Sequence, residues 1–228
     1  MKNHLKRIAS PRGWNINRKE NTFVIRPHAG GHSLEHGLAL GLVVRDMLHM
    51  AKTMSEAKKV IHAEEFLVDG VRRKDHQFMV GLFDTISIPS LKKFYRIILD
   101  KKGRIVVITT TAADSVVKPC KIVGKTVLPG GKIQYNLYDG KNLIGTHAAK
   151  VGDSLVLALP SLEVKKVLHL KTGATVFLVK GKQSGAVGHL KAIKGQDVSY
   201  MIEGKEFETS KGHLFVVGEN DSLIQLKN

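Results

Sequence analysis

The rhythm of apolar and polar positions changes along the chain. Between residues 42 and 62, Val43, Val44, Met47, Leu48 and Ala51 recur at helical spacing, which predicts a helix with one buried face. Thr53-Met54-Ser55-Glu56 then has the form of a capping box, in which side chain and backbone of Thr53 and Glu56 satisfy each other at a helix start. Ala57, Val60 and Ile61 give a second, shorter apolar face, with Lys58 and Lys59 at its flank. After that the period falls to two. Phe66-Leu67-Val68 and Val71-Arg72-Arg73-Lys74 flank Asp69-Gly70, a hairpin signal. Thr85-Ile86-Ser87-Ile88 reads as a third strand, stopped by Pro89.

From residue 94 onward the pattern is strand and turn. Two apolar runs, 94–99 and 104–108, flank Asp100-Lys101-Lys102-Gly103. Turns follow at Pro129-Gly130-Gly131 and Asp139-Gly140, and Val151-Gly152-Asp153 leads into a strand at 155–159. This spacing predicts a small all-β unit, a barrel or sandwich. Further strands at 176–179, 186–193, 198–202 and 214–217 predict a second small barrel. The first forty residues lack a periodic pattern. Trp14 and Phe23-Val24-Ile25 imply some packing, but the segment reads as an irregular extension ordered mostly by a partner. The expected fold class is α+β in several modules. These are a basic N-terminal extension (1–41), a small helix–hairpin module (42–90), a central β domain (91–170) and a C-terminal β-barrel (171–228).

Charge changes this picture from architecture to function. Among 228 residues there are 36 Lys and Arg against 20 Asp and Glu, a net charge of +16. Such a field attracts polyanions: nucleic acid first, an anionic membrane surface second. Residues 1–32 carry seven cations (Lys2, Lys6, Arg7, Arg12, Arg18, Lys19 and Arg26) against Glu20 alone. The excess continues through residue 202, and only 203–228 is net acidic. A chain charged over most of its length is expected to touch a polyanion in several places. Cys120 is the single cysteine, so no internal disulfide and no Cys-x-x-Cys zinc pair can form. No apolar run approaches the 18 or so residues that span a bilayer, and the N-terminus lacks the apolar core of a secretory signal. The expectation is a cytoplasmic protein without membrane partner, small-molecule substrate, metal or other cofactor.

Catalytic motifs fail on inspection. Gly124-Lys125-Thr126 resembles the end of a phosphate loop, but Pro119 stands where that loop needs glycine, so a β-turn is expected. His28, His32 and His36 are spaced by four, yet Pro27, Gly30, Gly31 and Gly37 argue against the helix that would align them. Solvated or RNA-facing histidines are expected instead. Cys120 reads as a buried structural thiol, and no nucleophile elbow or dinucleotide fingerprint is present.

The segment 42–88 has a more specific shape: Arg45-Asp46 on one helix, Lys58-Lys59 on the next, then the Phe66–Arg73 hairpin. It resembles the S-four RNA-binding module of ribosomal proteins, pseudouridine synthases and tyrosyl-tRNA synthetases. The resemblance implies phosphate contacts by Arg45, Lys58, Lys59, Arg72, Arg73 and Lys74, although Arg45 could instead pair with a neighbouring carboxylate. Residues 173–193 are similar to the KOW motif of small SH3-like barrels. There Gly185 matches the motif's central glycine, flanked by Lys180 and Lys182, at a position where the backbone is expected to take a positive φ or to approach RNA closely.

The order of these modules, with His4–Trp14, Arg26-Pro27, Asp84–Pro89 and Asn136–Asn142, resembles the small-subunit ribosomal protein family S-four-e over essentially the whole chain. One departure is Gly31, where proline is usual in the family. The resemblance implies a non-catalytic structural protein of the small ribosomal subunit, with small-subunit rRNA and neighbouring ribosomal proteins as partners. Lys6, Arg7, Arg12, Arg18, Lys19 and Arg26 would order on the RNA. The rival readings are an RNA-modifying enzyme that uses the S-four module for delivery, and a non-ribosomal RNA-binding regulator. Trp14 is expected either to stack on a base or to pack locally.

Overall fold

A computed structural model describes residues 4–226. The chain is a mixed fold with few helices and several antiparallel sheets, as the α+β pattern requires. It divides into two compact units, one running to Ile98 and taking in Arg104–Val116, the other comprising Leu99–Gly103 and everything from Val117.

In the first unit the N-terminal segment has internal order of its own. Leu5–Lys6 pairs antiparallel with Phe23–Val24. Trp14 is buried, its backbone bridges Ile105, and its indole Nε1 donates to the Leu34 carbonyl at 3.1 Å. Local packing therefore takes the tryptophan out of reach of a base. The helix expected from Val43 through Ala51 is shorter than its apolar spacing suggests. One α-turn (Leu40–Leu42) widens into a π-turn (Val43–Met47), closed by Leu48 N–H donating to the Val43 carbonyl. His49 then adopts φ 52° and ends it. Met54–Ala63 is a regular helix that begins with the expected capping box: the Glu56 N–H donates to Thr53 Oγ1 at 3.2 Å, and the Glu56 carboxylate accepts from the Thr53 N–H. Ala57 and Ile61 face inward.

The hairpin Leu67–Val68/Val71–Arg72 turns through Asp69 (φ 51°) and Gly70 (φ 76°), both left-handed as a two-residue turn demands. The buried Asp69 carboxylate accepts from the Thr85 N–H at 3.1 Å and fastens the turn to Thr85–Ile88. The sheet then runs in the order Val71–Arg72, Leu67–Val68, Thr85–Ile88, Lys93–Leu99, Ile105–Thr109. His32 and His36 are buried beneath this region rather than solvated or RNA-facing. His32 Nε2 lies 3.1 Å from both carboxylate oxygens of Asp84, which also accepts from the Gly81 N–H. The ring packs flat on Gly81, where a Cβ would come within 2.2 Å of it. Only His28 of the three lies exposed.

The second unit is built on one long strand, Val117–Val127. Its first half pairs with Ser154–Ala158 and its second half with Ile133–Leu137, the change falling at a bulge between Ile122 and Gly124. Gly124-Lys125-Thr126 is thus strand, not the expected turn. Val123 is the bulged residue, and Gly124 pairs with Asn136. Pro119 falls in the half with a single neighbour, where a missing N–H can face away from the ladder. Asn142–Ile144 and Val164–Leu168 form the outer edges of this sheet.

A second five-stranded sheet runs Lys205–Ser210, Asp197–Ile202, Val187–Lys194, Thr175–Leu178, Leu214–Gly218. It does not close into the expected barrel: among the described residues, Lys205–Ser210 and Leu214–Gly218 do not pair. The 3-10 turn Lys211–His213 between them carries the chain across the sheet instead of folding it back. The strand Ser154–Ala158 belongs to the first sheet alone but supplies side chains to the cores of both. Val156 faces a core with Val176, Leu190 and Val216, while Leu155 and Leu157 face a core with Cys120, Ile122 and Tyr135. Strand alternation alone sends its side chains to two cores.

The long strand also buries charge. Lys118 and Asp139 are both buried, with Nζ 3.0 Å from Asp139 Oδ2, and Lys141 Nζ reaches the same oxygen at 3.1 Å. Burial works to raise the Asp139 pKa. The charges of Lys118 and Lys141, with their hydrogen bonds, overcome it and bring the group down to about 2. A carboxyl depressed in the folded state contributes stability that is present above its ordinary pKa and lost as pH falls through the folded value. Acid titration of thermal stability should therefore show a loss between about pH 4 and pH 2 that Asp139→Asn lacks. At neutral pH the same substitution leaves Lys118 buried without its main counter-charge, and should cost about 3–5 kcal/mol in chemical denaturation.

Candidate nucleic-acid interface

The first unit presents a basic surface built on rigid elements. Lys58 and His62 are four residues apart on the Met54–Ala63 helix and so share a side, flanking the face of the buried Ala57 and Ile61. Lys59 lies next to them, and all three are exposed. Arg72 and Lys74 are exposed on the hairpin and its exit. Arg73 is half-buried, its guanidinium 4.4 Å from the centre of the Phe78 ring, a cation–π contact that fixes its direction. The helix and the segment after the hairpin act on each other. Burial and then the charge of Lys58 hold His76 below the usual imidazole range, Asp75 opposes them, and His28 and His62 add to the lowering. Arg45 is engaged otherwise. It forks onto the carboxylate of Asp46, with Nη2 2.9 Å from Oδ2, so its charge is largely answered within the fold.

In the N-terminal segment the six expected contacts separate. Lys6, Arg12, Lys19 and Arg26 are exposed. Arg7 is buried. It donates to the carbonyls of Asn17 (2.6 Å) and Phe23 (3.4 Å) and lies 3.6 Å from Glu20. Arg18 is half-buried and donates to the carbonyls of Arg7, Ile8, Ser10 and Pro11. These two arginines tie the segment together, because it has too little regular structure to satisfy its own carbonyls.

In the second unit Lys180 and Lys182 are exposed on the turn that follows Thr175–Leu178. Gly185 has φ 82°, and its close approach is to this chain: a Cβ there would lie 2.0 Å from the Asp100 carbonyl oxygen. The requirement for glycine comes from this positive φ and from the approach to the Asp100 carbonyl. The same approach brings Gly103 against Ser184 and so sets Lys101 and Lys102, both exposed, beside the loop of Lys182. Nothing in the sequence marks Lys101 and Lys102 as belonging with residues so distant.

Lys121 illustrates the opposite fate. Its Nζ donates to the carbonyls of Lys211, Gly212 and Leu214 (3.3, 3.0 and 2.6 Å), and burial, with the nearby Lys211 charge, lowers its pKa to about 8. Among the described residues no group of His, Cys, Asp and Glu is arranged to hold a metal ion, and no helix is long and apolar enough to cross a membrane.

The description "Ribosomal family S4e" matches residues 91–164, and "RS4NT (NUC023) domain" matches residues 1–35. The chain is 40% identical over 229 residues to the small ribosomal subunit protein eS4 of Methanocella arvoryzae, covering 98% of this chain and 97% of that one. It is 41% identical over 225 residues to the eS4 protein of Archaeoglobus fulgidus, covering 96% and 94%. Among solved structures it is similar to the 30S ribosomal protein S4e from Thermoplasma acidophilum, with TM-score 0.72 and 26% identity, over 81% of this chain and 96% of that one.

Two substitutions separate internal from external roles. Arg7→Ala removes the donor to two carbonyls and should cost about 1–3 kcal/mol. Gly185→Ala forces a side chain against a backbone carbonyl at positive φ and should cost more than about 2 kcal/mol. Lys182→Ala and Lys6→Ala should leave the melting temperature of the free protein unchanged. Differential scanning calorimetry of the four variants checks the contrast.

Proposed function

The chain belongs to the ribosomal protein family S4e, and from that premise we propose that it is built into the small ribosomal subunit by binding rRNA through phosphate and shape recognition. As a member of that family it is a structural protein, not an enzyme. The observation that carries the binding mode is the placement of Lys58, Lys59, Arg72 and Lys74, all exposed, on a capped helix and a tight hairpin whose own carboxylates are engaged by backbone N–H groups, Glu56 at the helix cap and Asp69 at Thr85. A-form RNA hides its base edges in a deep, narrow groove, so a protein meets mainly phosphate and ribose. Cations fixed on rigid elements match phosphate spacing without losing side-chain freedom on every contact, and their binding releases condensed counterions.

The same proposal divides the work along the chain. The N-terminal extension (1–41) supplies Lys6, Arg12, Lys19 and Arg26. The S-four-like module (42–90) supplies the helix–hairpin face, with Arg73 held by Phe78 and Arg45 as a secondary contact. The central β domain (91–170) adds Lys101 and Lys102. The KOW-type unit (171–228) adds Lys180 and Lys182. An SH3-like ancestry of that last unit is supported by its strand order, in which the fifth strand flanks the first and a 3-10 turn precedes it. Arg7, Arg18 and Gly185 serve this surface by holding its segments in place. Neighbouring ribosomal proteins would cover part of the remainder, and the ribosome places the protein in the cytoplasm.

Sedimentation of native lysate tests the assignment: the protein should move with the small subunit into moderate salt and leave it when the rRNA is digested. A peak at the top of the gradient under all conditions would favour a free regulator. For the face itself, Lys58→Ala and Arg72→Ala should each weaken binding to small-subunit rRNA and reduce the slope of log affinity against log salt by about one. Unchanged slopes in both would remove the helix–hairpin face from the contact.

A further inference from the structure

The N-terminal hairpin shows an aromatic side chain to solvent where the chain is most basic. Leu5–Lys6 pairs with Phe23–Val24 in the register Leu5 to Val24 and Lys6 to Phe23. Directly opposed residues of an antiparallel pair share a face, and alternation puts the next pair on the other face. Val24 is turned into the unit, and Leu5 lies with it half-buried. Phe23 and Lys6 therefore point outward together, and Phe23 is 55% exposed. Alternation along the first strand puts His4 on the same side, and its ring centre lies 5.7 Å from that of Phe23 at an interplanar angle of 53°. The Phe23 carbonyl accepts from Arg7, whose other bond reaches Asn17, so the backbone beneath the ring is fixed from below.

An exposed phenylalanine on a strand is a liability unless something covers it. Here the surrounding segment, residues 1–32, has seven cations and one carboxylate. That charge repels a basic protein and attracts nucleic acid. The side chain the sequence offered for stacking, Trp14, is buried and hydrogen-bonded to Leu34. We propose that Phe23, with His4 against its edge and Lys6 beside it, is a stacking platform for one unpaired base of the RNA, the lysine meeting the phosphate of that nucleotide. The open face of the ring takes the base. The site recognises any unstacked base by its π-face, so it selects an RNA loop or bulge over a continuous helix. This rests on the rRNA-binding function above and adds a contact with bases to one otherwise made with phosphates.

The test uses the full-length protein and a full-length small-subunit rRNA transcript, with affinity measured at several salt concentrations. Phe23→Ala should weaken binding roughly 5- to 100-fold, the range for loss of one base–aromatic stack. The salt slope should stay at the wild-type value, because no charge is lost. Phe23→Trp should bind at least as tightly as wild type, and Phe23→Leu, apolar but without a π-face, should behave like Phe23→Ala. Melting curves of the free variants should coincide with wild type, since the ring contributes little to the core. Phe23→Ala binding within twofold of wild type overturns the proposal. So does Phe23→Leu binding as tightly as Phe23→Trp, which would mark the ring as a generic apolar contact with a protein neighbour. If the wild-type protein itself fails to bind the transcript, the broader rRNA-binding function fails instead, and the two results are distinct.

Discussion

Of its 36 cations this chain draws several inside, among them Arg7, Arg96, Lys118 and Lys121, and each needs partners there. The second unit depends on how it buries them. Lys118 and Lys121 both lie on the long strand, three residues apart in unbroken register and so on opposite faces, and both are buried. One is answered by Asp139, the other by three carbonyls around the Lys211–His213 turn. A buried ammonium without such partners would lose several kcal/mol of solvation. The positions of the Asp139 turn and of the 3-10 turn are thus set by the two lysines, and the cores on either side of the Ser154–Ala158 strand close around that arrangement. Arg7 and Arg18 do the corresponding work in the N-terminal segment, with carbonyls in place of a sheet.

The carboxylates tell the complementary half. Asp69, Asp84, Asp139 and Asp153 are all buried. Asp69 and Asp84 accept backbone N–H groups and tie turns to strands, and Asp153 accepts from the N–H groups of Lys150 and Leu170 as well as from His169. Each carboxylate drawn inside is one fewer to answer a surface lysine. The scaffolding of the turns and the positive outer field are therefore two consequences of one allocation of charge, and the RNA-facing character follows from the fold's own hydrogen-bond demands.

What could be read in advance were elements whose cause is local. The Thr53–Glu56 capping box, the Asp69-Gly70 turn and the 94–109 hairpin each depend on residues within a few positions, and each is present. Val117–Val127 was not legible, because its lysines, proline and glycine carry no strand signal until Asp139 neutralises Lys118 and Asn136 pairs with Gly124 across the ladder. His32 and Arg7 looked like surface residues for the same reason: the groups that bury them, Asp84 and the carbonyls of Asn17 and Phe23, lie far away or follow no side-chain pattern. Gly185 was visible as a position of close approach, but composition cannot say whether the backbone it approaches is RNA or its own chain. The Asp100 carbonyl answers that.

The open C-terminal sheet follows from the same sharing. A five-stranded unit standing alone must roll up to cover its apolar face. Here Val156 and Leu168 of the neighbouring sheet enter its core, so the face is covered without closure. The consequence is an uncovered edge strand, Lys205–Ser210, which would invite another chain to pair with it. Phe207 turns inward toward the core while Glu206 and Glu208 alternate to the other face, and Glu206 holds Lys191 at 2.6 Å. Carboxylates there repel both a phosphate backbone and a second acidic edge. The net acidic stretch 203–228 thus guards one open edge of this sheet.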